Sequence, residues 1–120
     1  NPSRRMDSGW QQVGMVSDLA KVRCRRLFTE RREDSIVLVH LRGQFFAMNA
    51  WCPHQGGPLF RGDMEDVNGQ HCLVCPLHRY AFSLSDGTAS CGLRQSTFEC
   101  KEEAGQLYIR CPFRLSLQPL

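Results

Sequence analysis

Long apolar runs are missing from this sequence: none approaches the roughly 18 residues that a membrane-spanning helix needs, so no membrane span is expected. Helical periodicity is nearly absent as well. The single helical hint is a turn over Ser17–Leu19, with Ser17 as its expected cap. There is no internal repeat, no low-complexity tract and no DNA-binding motif, which excludes a solenoid and a dedicated DNA reader. Disorder is excluded in turn by 42% hydrophobic residues against 22% charged ones. At 120 residues the chain is expected to form one domain over residues 1–120, burying about two-thirds of its unfolded surface around one core.

What the sequence does have is cysteine: Cys24, Cys52, Cys72, Cys75, Cys91, Cys100 and Cys111. Seven is odd, so a complete intramolecular disulfide framework would leave a spare thiol, and a chain of this length folds without such staples. A reducing, cytoplasmic compartment is the expectation. There a cysteine is either a small core residue or a metal ligand, and ligands betray themselves by histidines at close, fixed spacing.

Charge is unevenly spread. Residues 1–32 hold eight basic residues against three acidic ones, a net of +5, so the remainder of the chain carries −2 to reach the total of +3. Docking to an acidic partner or nucleic acid is the functional reading of this excess; without interleaved aromatic residues a solvated strand face is favoured over it, and no nucleic-acid partner is expected.

Strand signals dominate elsewhere. Val22–Phe28 alternates basic and apolar residues, Ser35–Leu41 is a β-branched run, and Gln44–Met48 follows the Arg42-Gly43 break, predicting three adjacent strands. Gln70–Val74 and Tyr80–Leu84 read as short strands, with Ser85-Asp86-Gly87 as a turn. Thr97–Glu102 is expected to pair with Gln106–Cys111 across Glu103-Ala104-Gly105. Arg61–Gly69 reads as an inserted acidic loop. The fold class is therefore all-β: an antiparallel sandwich or open barrel of eight to ten short strands.

Two segments stand apart: Trp51-Cys52-Pro53-His54-Gln55-Gly56-Gly57-Pro58 and Cys75-Pro76-Leu77-His78-Arg79-Tyr80. Each offers a thiolate and an imidazole from one loop, as a CxH and a CxxH clip stiffened by proline. Structural zinc sites with two cysteines and two histidines commonly pair like with like, with the histidine clip on a helix. Here both clips are mixed and neither lies on a helical segment. A two-iron cluster with both cysteines on one iron and both histidines on the other requires each loop to straddle both metals, which a mixed clip does naturally.

At these residues the sequence resembles the Rieske ferredoxin family, and within it the soluble vertebrate branch. The resemblance covers the strands before the first clip, CPHQGGPL, CPLHRYAF and a closing hairpin through QLYIRC. The paired motif, CxH then twenty residues then CxxH, is far more specific than either half. It implies a Rieske-like fold with a loop-built tip holding one 2Fe-2S cluster. Cys52 and Cys75 would bind the inner iron, and His54 and His78 the outer, solvent-facing iron. It also implies a monomeric one-electron carrier between redox protein partners, a reductase and an oxygenase- or desaturase-type acceptor, and not an enzyme. Two alternatives stay open: a small Rieske-like subunit of a larger reductase, and a zinc-binding structural or interaction module. A Rieske oxygenase would need two more histidines and a carboxylate on a mononuclear iron, and only His40 and His71 remain unassigned.

High-potential respiratory members carry an extra cysteine in each ligand loop, joined as a disulfide. Gly57 and Leu77 occupy the matching positions here. Those members also direct a serine and a tyrosine hydroxyl at the cluster, where this chain has Tyr80 and Phe82. Phe82 cannot donate, Tyr80 can, and low-potential ferredoxins of the family commonly place an aromatic or apolar residue nearby without such a bond, so the resemblance implies a potential near the low end of the family range. A third, shielding loop falls at Ala89–Leu93, in which Cys91 is expected to be a buried small residue. His71 is the one substitute ligand, four residues from Cys75. His40 is expected on a strand surface, Trp51 as packing under the first ligand loop, and Cys72 as no redox partner of Cys75. Cys24, Cys100 and Cys111 are expected in the core.

Overall fold

The computed structural model describes residues 9–120. In chain order its strands are β1 (Trp10–Met15), β2 (Cys24–Leu27), β3 (Ile36–Leu41), β4 (Gln44–Asn49), β5 (Asp63–Val67), β6 (Gln70–Val74), β7 (Ala81–Ser83), β8 (Thr97–Phe98), β9 (Cys100–Glu103) and β10 (Gln106–Arg110). They form three antiparallel sheets, ordered β1-β10-β9, β2-β3-β4-β8 and β5-β6-β7. The expected all-β antiparallel class holds. One short helix, α1 (Val16–Leu19), follows β1. Its N-cap is the extended Met15, which makes no side-chain capping hydrogen bond, and Ser17 lies inside the helix and is not its cap.

The β-branched run of β3 explains the layering. Successive strand side chains point to opposite faces, so Ile36 and Leu38 enter one core with Leu27, Leu107 and Ile109. Val37 and Val39 enter a second core with Leu73, Phe82, Cys52 and Cys75. The central sheet is thus buried on both sides, and an uninterrupted apolar strand is what that requires. Each such large side chain contributes about 1.5–3 kcal/mol on burial. The second core, between the central sheet and β5-β6-β7, is the one that reaches the two clips.

Three expectations change. The predicted strand Thr97–Glu102 divides at Glu99: β8 pairs with β4, and β9 pairs with β10. Arg110 N–H still donates to the Glu99 carbonyl at 2.9 Å. Arg61–Gly69 is not an inserted loop, because Asp63–Val67 pairs residue for residue with Gln70–Val74 as a hairpin turning at Asn68-Gly69, both with positive φ. The basic strand β2 is not a simply solvated face. Arg26 is half-buried, its guanidinium 4.5 Å from the Phe28 ring centroid and 5.1 Å from that of Trp51, donating to Ser35 Oγ at 3.1 Å.

β1 was invisible to periodicity. Its Trp-Gln-Gln-Val-Gly-Met sequence has no clean alternation, and its register slips between Gln12 and Gly14. The strand is held by β10 and by Gln11, whose side chain donates to the Phe113 and Cys111 carbonyls and accepts from Leu115 N–H.

Candidate metal centre

The two clips share one backbone design. Cys52 N–H donates to the Gly57 carbonyl at 2.8 Å, and Gly56 N–H to the Cys52 carbonyl at 2.7 Å. Likewise Cys75 N–H donates to the Tyr80 carbonyl at 2.9 Å, and Arg79 N–H to the Cys75 carbonyl at 2.9 Å. Each cysteine therefore opens a closed loop whose fifth residue turns through positive φ, Gly56 at +73° and Arg79 at +60°. Sequence comparison of the loops hides this likeness because their histidines sit at different offsets, two residues after Cys52 and three after Cys75.

All four candidate ligands converge on the same tip, sorted by burial. Cys52 and Cys75 are 4% and 1% exposed, inside the second core, whereas His54 and His78 are exposed. The two imidazole centroids lie 5.0 Å apart, and the Tyr80 ring stands edge-on to His54 at 5.0 Å. Burial pushes the Cys52 thiol up. Backbone hydrogen bonds from His54 and Gln55 pull it down, and the adjacent Cys75 thiol, hydrogen-bonded to it, raises it further. Among the described residues no three His, Cys, Asp or Glu side chains converge as a single-ion site. The donors are a thiol pair and an imidazole pair.

Gly57 is the spacer between the loops. A Cβ there would lie 2.6 Å from Cys75 Sγ and 3.1 Å from Leu77 Cγ. Gly57 and Leu77 therefore face each other, as their matching positions in the sequence implied.

The surrounding supports come from further along the chain. Gln95, buried, donates through Nε2 to the Asn49 and Trp51 carbonyls at 3.1 and 2.6 Å, fixing the backbone that enters the first loop. Ala89 and Leu93 pack on the second core, so the third loop does reach it. Cys91 in that loop is exposed, not buried: the loop presents its flanking apolar residues inward and turns the cysteine out. Trp51 packs edge-on to Phe60 at 5.5 Å and donates its Nε1–H to the Arg32 carbonyl at 2.8 Å. His71 sits on β6 against the Asp66 carboxylate rather than at the tip. His40, half-buried, lies against the Phe45 ring, tilted to it, at 4.7 Å between centroids. Cys24 and Cys100 are half-buried and Cys111 buried; burial raises the Cys24 and Cys100 thiols to about 11 and about 12.

Arg79 was not singled out by sequence. Its guanidinium pairs with Asp63 at 3.4 Å and Glu65 at 2.7 Å, so the acidic strand β5 clamps the second ligand loop. These pairs are solvent-exposed, each worth about 0.2–1 kcal/mol, whereas a non-glycine residue at positive φ costs about 1–2 kcal/mol. Arg79→Gly is therefore expected to unfold at a higher temperature than Arg79→Ala, since both lose the pairs and only glycine relieves the backbone. Thermal denaturation of the two variants checks the order.

Residues 12–106 match the family described as soluble Rieske-type ferredoxin. The chain belongs to that family. A Rieske-type ferredoxin is an electron carrier and not a catalyst, and the family implies a 2Fe-2S cluster and redox partners. The chain is 39% identical over 84 residues to a human Rieske domain-containing protein, an overlap of 70% of this chain and 50% of the human one. It thus spans about half the length of that relative. A 3-phenylpropionate/cinnamic acid dioxygenase ferredoxin subunit of Shigella flexneri is 32% identical over 80 residues, covering 64% of this chain and 73% of the subunit. In fold the chain resembles the ferredoxin of carbazole 1,9a-dioxygenase from Nocardioides aromaticivorans, with a TM-score of 0.68 at 16% identity over 83% of this chain and 95% of that one. No helix among the described residues is long and apolar enough to cross a membrane.

Proposed function

We propose that residues 1–120 form one Rieske domain in which Cys52, Cys75, His54 and His78 hold a 2Fe-2S cluster. On this reading the chain is a monomeric cytoplasmic carrier that passes single electrons from a reductase to an oxygenase- or desaturase-type acceptor. The observation that carries this reading is the sorting of the four donors at one tip, a buried thiol pair and an exposed imidazole pair 5.0 Å apart. A two-iron cluster takes a thiol pair on one metal and an imidazole pair on the other, and that division matches the way these donors are sorted by burial. Such a cluster, when bound, supplies a reversible one-electron couple.

The chain's own groups set the conditions for that couple. Cys52 and Cys75 would hold the inner iron in a dry, apolar pocket with Leu59, Leu73 and Phe82. His54 and His78 would present the outer iron's imidazoles to a partner across a small, transient interface, with Leu77 exposed beside them. The His54 and Gln55 backbones already direct hydrogen bonds at the Cys52 sulfur, where they favour negative charge. Gly57 leaves the space between the loops that a side chain would fill. The seven cysteines are all unbridged, which supports a reducing compartment.

Formal charge places the potential. Two ferric ions, two sulfides and two thiolates sum to zero, whereas four thiolates give −2, so histidine ligation eases reduction. Phe82, buried in the second core, offers no hydroxyl to the sulfurs. The midpoint is expected in the lower part of the family's range of about −150 to +300 mV, below zero. Protein-film voltammetry measures it directly; a midpoint well above zero contradicts the reading that replacing a hydroxyl by Phe82 keeps the potential low.

A further inference from the structure

The Arg-rich segment that the sequence leaves as a solvated strand face is folded into something more specific. Arg32 lies over the Trp51 ring at 3.9 Å, and Arg26 is wedged between Phe28 at 4.5 Å and Phe60 at 5.4 Å. Arg61 also approaches the Phe60 ring, at 6.0 Å. Trp51 and Pro58 bridge across the base of the first ligand loop, so this surface is the collar from which the loop emerges. Among the described residues none of these three arginines has an ion pair with a carboxylate, although Arg31 beside them has two and Arg79 has two. The Arg26 guanidinium is held below its ordinary range by burial and by the charge of Arg32.

Like charges gathered on aromatic faces with no carboxylate in contact oppose one another in the free protein, and Glu33, which Arg32 influences from a distance, spends its own ion pair on Arg31. The field is relieved when an anionic surface covers it, and aromatic rings with arginine are the side chains that dominate protein interfaces. We propose that the Arg26, Arg32 and Arg61 guanidiniums, seated on Phe28, Trp51 and Phe60, form a docking surface for a carboxylate-rich face of the redox partner. The proposal rests on the electron-carrier reading, and places the partner's acidic groups at the base of the first ligand loop. A protein is favoured over nucleic acid on three grounds. The cations form a compact patch rather than a stripe, the Trp51 face is already covered by Arg32, and the chain's net charge is only +3. Electrostatic steering of this kind raises association rates and weakens with salt.

The test uses the purified, cluster-loaded chain and fluorescein-labelled polyglutamate of about twenty residues, read by anisotropy at about 10 mM ionic strength, where the Debye length is about 30 Å. Arg32→Glu/Arg61→Glu changes two exposed positions of the patch. Arg42→Glu/Arg114→Glu makes the same charge change at exposed positions that line no part of it. The patch pair is expected to weaken polyglutamate binding by at least about tenfold and the control pair by less than about twofold. No binding by the native chain, or equal loss in both pairs, overturns the proposal in favour of a diffuse charge effect. Tighter binding of duplex DNA than of polyglutamate at equal charge, lost in the patch pair alone, reassigns the surface to nucleic acid. The visible spectrum keeps the two readings apart: patch-dependent binding by a chain that never acquires iron and sulfide leaves the docking surface standing and removes the electron-carrier role.

Discussion

His78→Cys is expected to lower the cluster's midpoint by the order of 100 mV or more, moving it from the two-histidine range of about −150 to +300 mV toward the about −400 mV of four-cysteine ferredoxins. The replacement exchanges a neutral imidazole for a thiolate, so the oxidised centre gains a full negative charge and resists the incoming electron. His78 lies on an exposed loop with its ring 5.0 Å from that of His54, so the change reaches no core packing. Loss of the cluster would make the same point about ligation. His71→Ala is the matched control, because His71 lies on β6 against Asp66 and away from the tip. An unchanged spectrum and midpoint in His78→Cys, or a changed one in His71→Ala, would overturn the ligand assignment.

The second large effect is at a residue with no functional group. Gly57→Ala is expected to reduce cluster incorporation about tenfold in this chain, where Leu77 occupies the space that a disulfide takes up in members with a cysteine at this position. The added methyl would sit 2.6 Å from Cys75 Sγ, well inside van der Waals contact, and the Gly57 carbonyl must stay where it accepts from Cys52 N–H. Moving either loop to make room separates the two thiols. Gly56→Ala, one residue earlier, meets nothing within 4 Å and strains only a backbone at φ +73°. It should cost about 1 kcal/mol and keep the cluster. Iron and sulfide content per chain, with far-ultraviolet circular dichroism to verify folding, separates the variants. Equal incorporation in both would show that the space beside Cys75 is not needed.

These predictions draw on features of very different legibility. The four candidate ligands were readable because each clip is local: a thiol and an imidazole one or two residues apart carry their meaning without knowledge of the fold. The central strands were readable for a related reason. Ser35–Leu41 is apolar throughout because β3 feeds two cores, and that requirement is written directly into consecutive residues. The acidic strand β5 was not readable. Asp-Met-Glu-Asp-Val has poor strand propensity, and it becomes a strand through pairing with β6 and through Arg79, which neutralises Asp63 and Glu65 from elsewhere in the chain, with His71 set against the Asp66 carboxylate. Thr97–Glu102 looked like one strand because local pattern cannot reveal that its halves have different partners, β4 and β10. Cys91 was assigned to the core on residue type alone, and the turn at Gly92, with φ +94°, leaves it exposed.

The basic segment shows the same limit in another form. Judged along the chain, its arginines have little aromatic company beyond Phe28. Folding supplies it from 19 or more residues away, by bringing Trp51 and Phe60 against Arg26 and Arg32. Gln95 is comparable: nothing in its sequence neighbourhood marks it, yet its one amide holds two carbonyls at the entrance to the first ligand loop. Spacing within a loop survives in sequence, whereas a support that reaches across sheets does not.

The central claim, that two cysteines and two histidines of this chain hold one 2Fe-2S cluster, is tested most directly by electron spin-echo envelope modulation of the dithionite-reduced protein, prepared anaerobically with ¹⁵N-labelled histidine. Two strongly coupled histidine nitrogens, on a rhombic signal with an average g below the free-electron value, are expected, falling to one in His54→Cys or His78→Cys. A reduced signal with no histidine coupling, or a colourless protein with one zinc per chain, would contradict it.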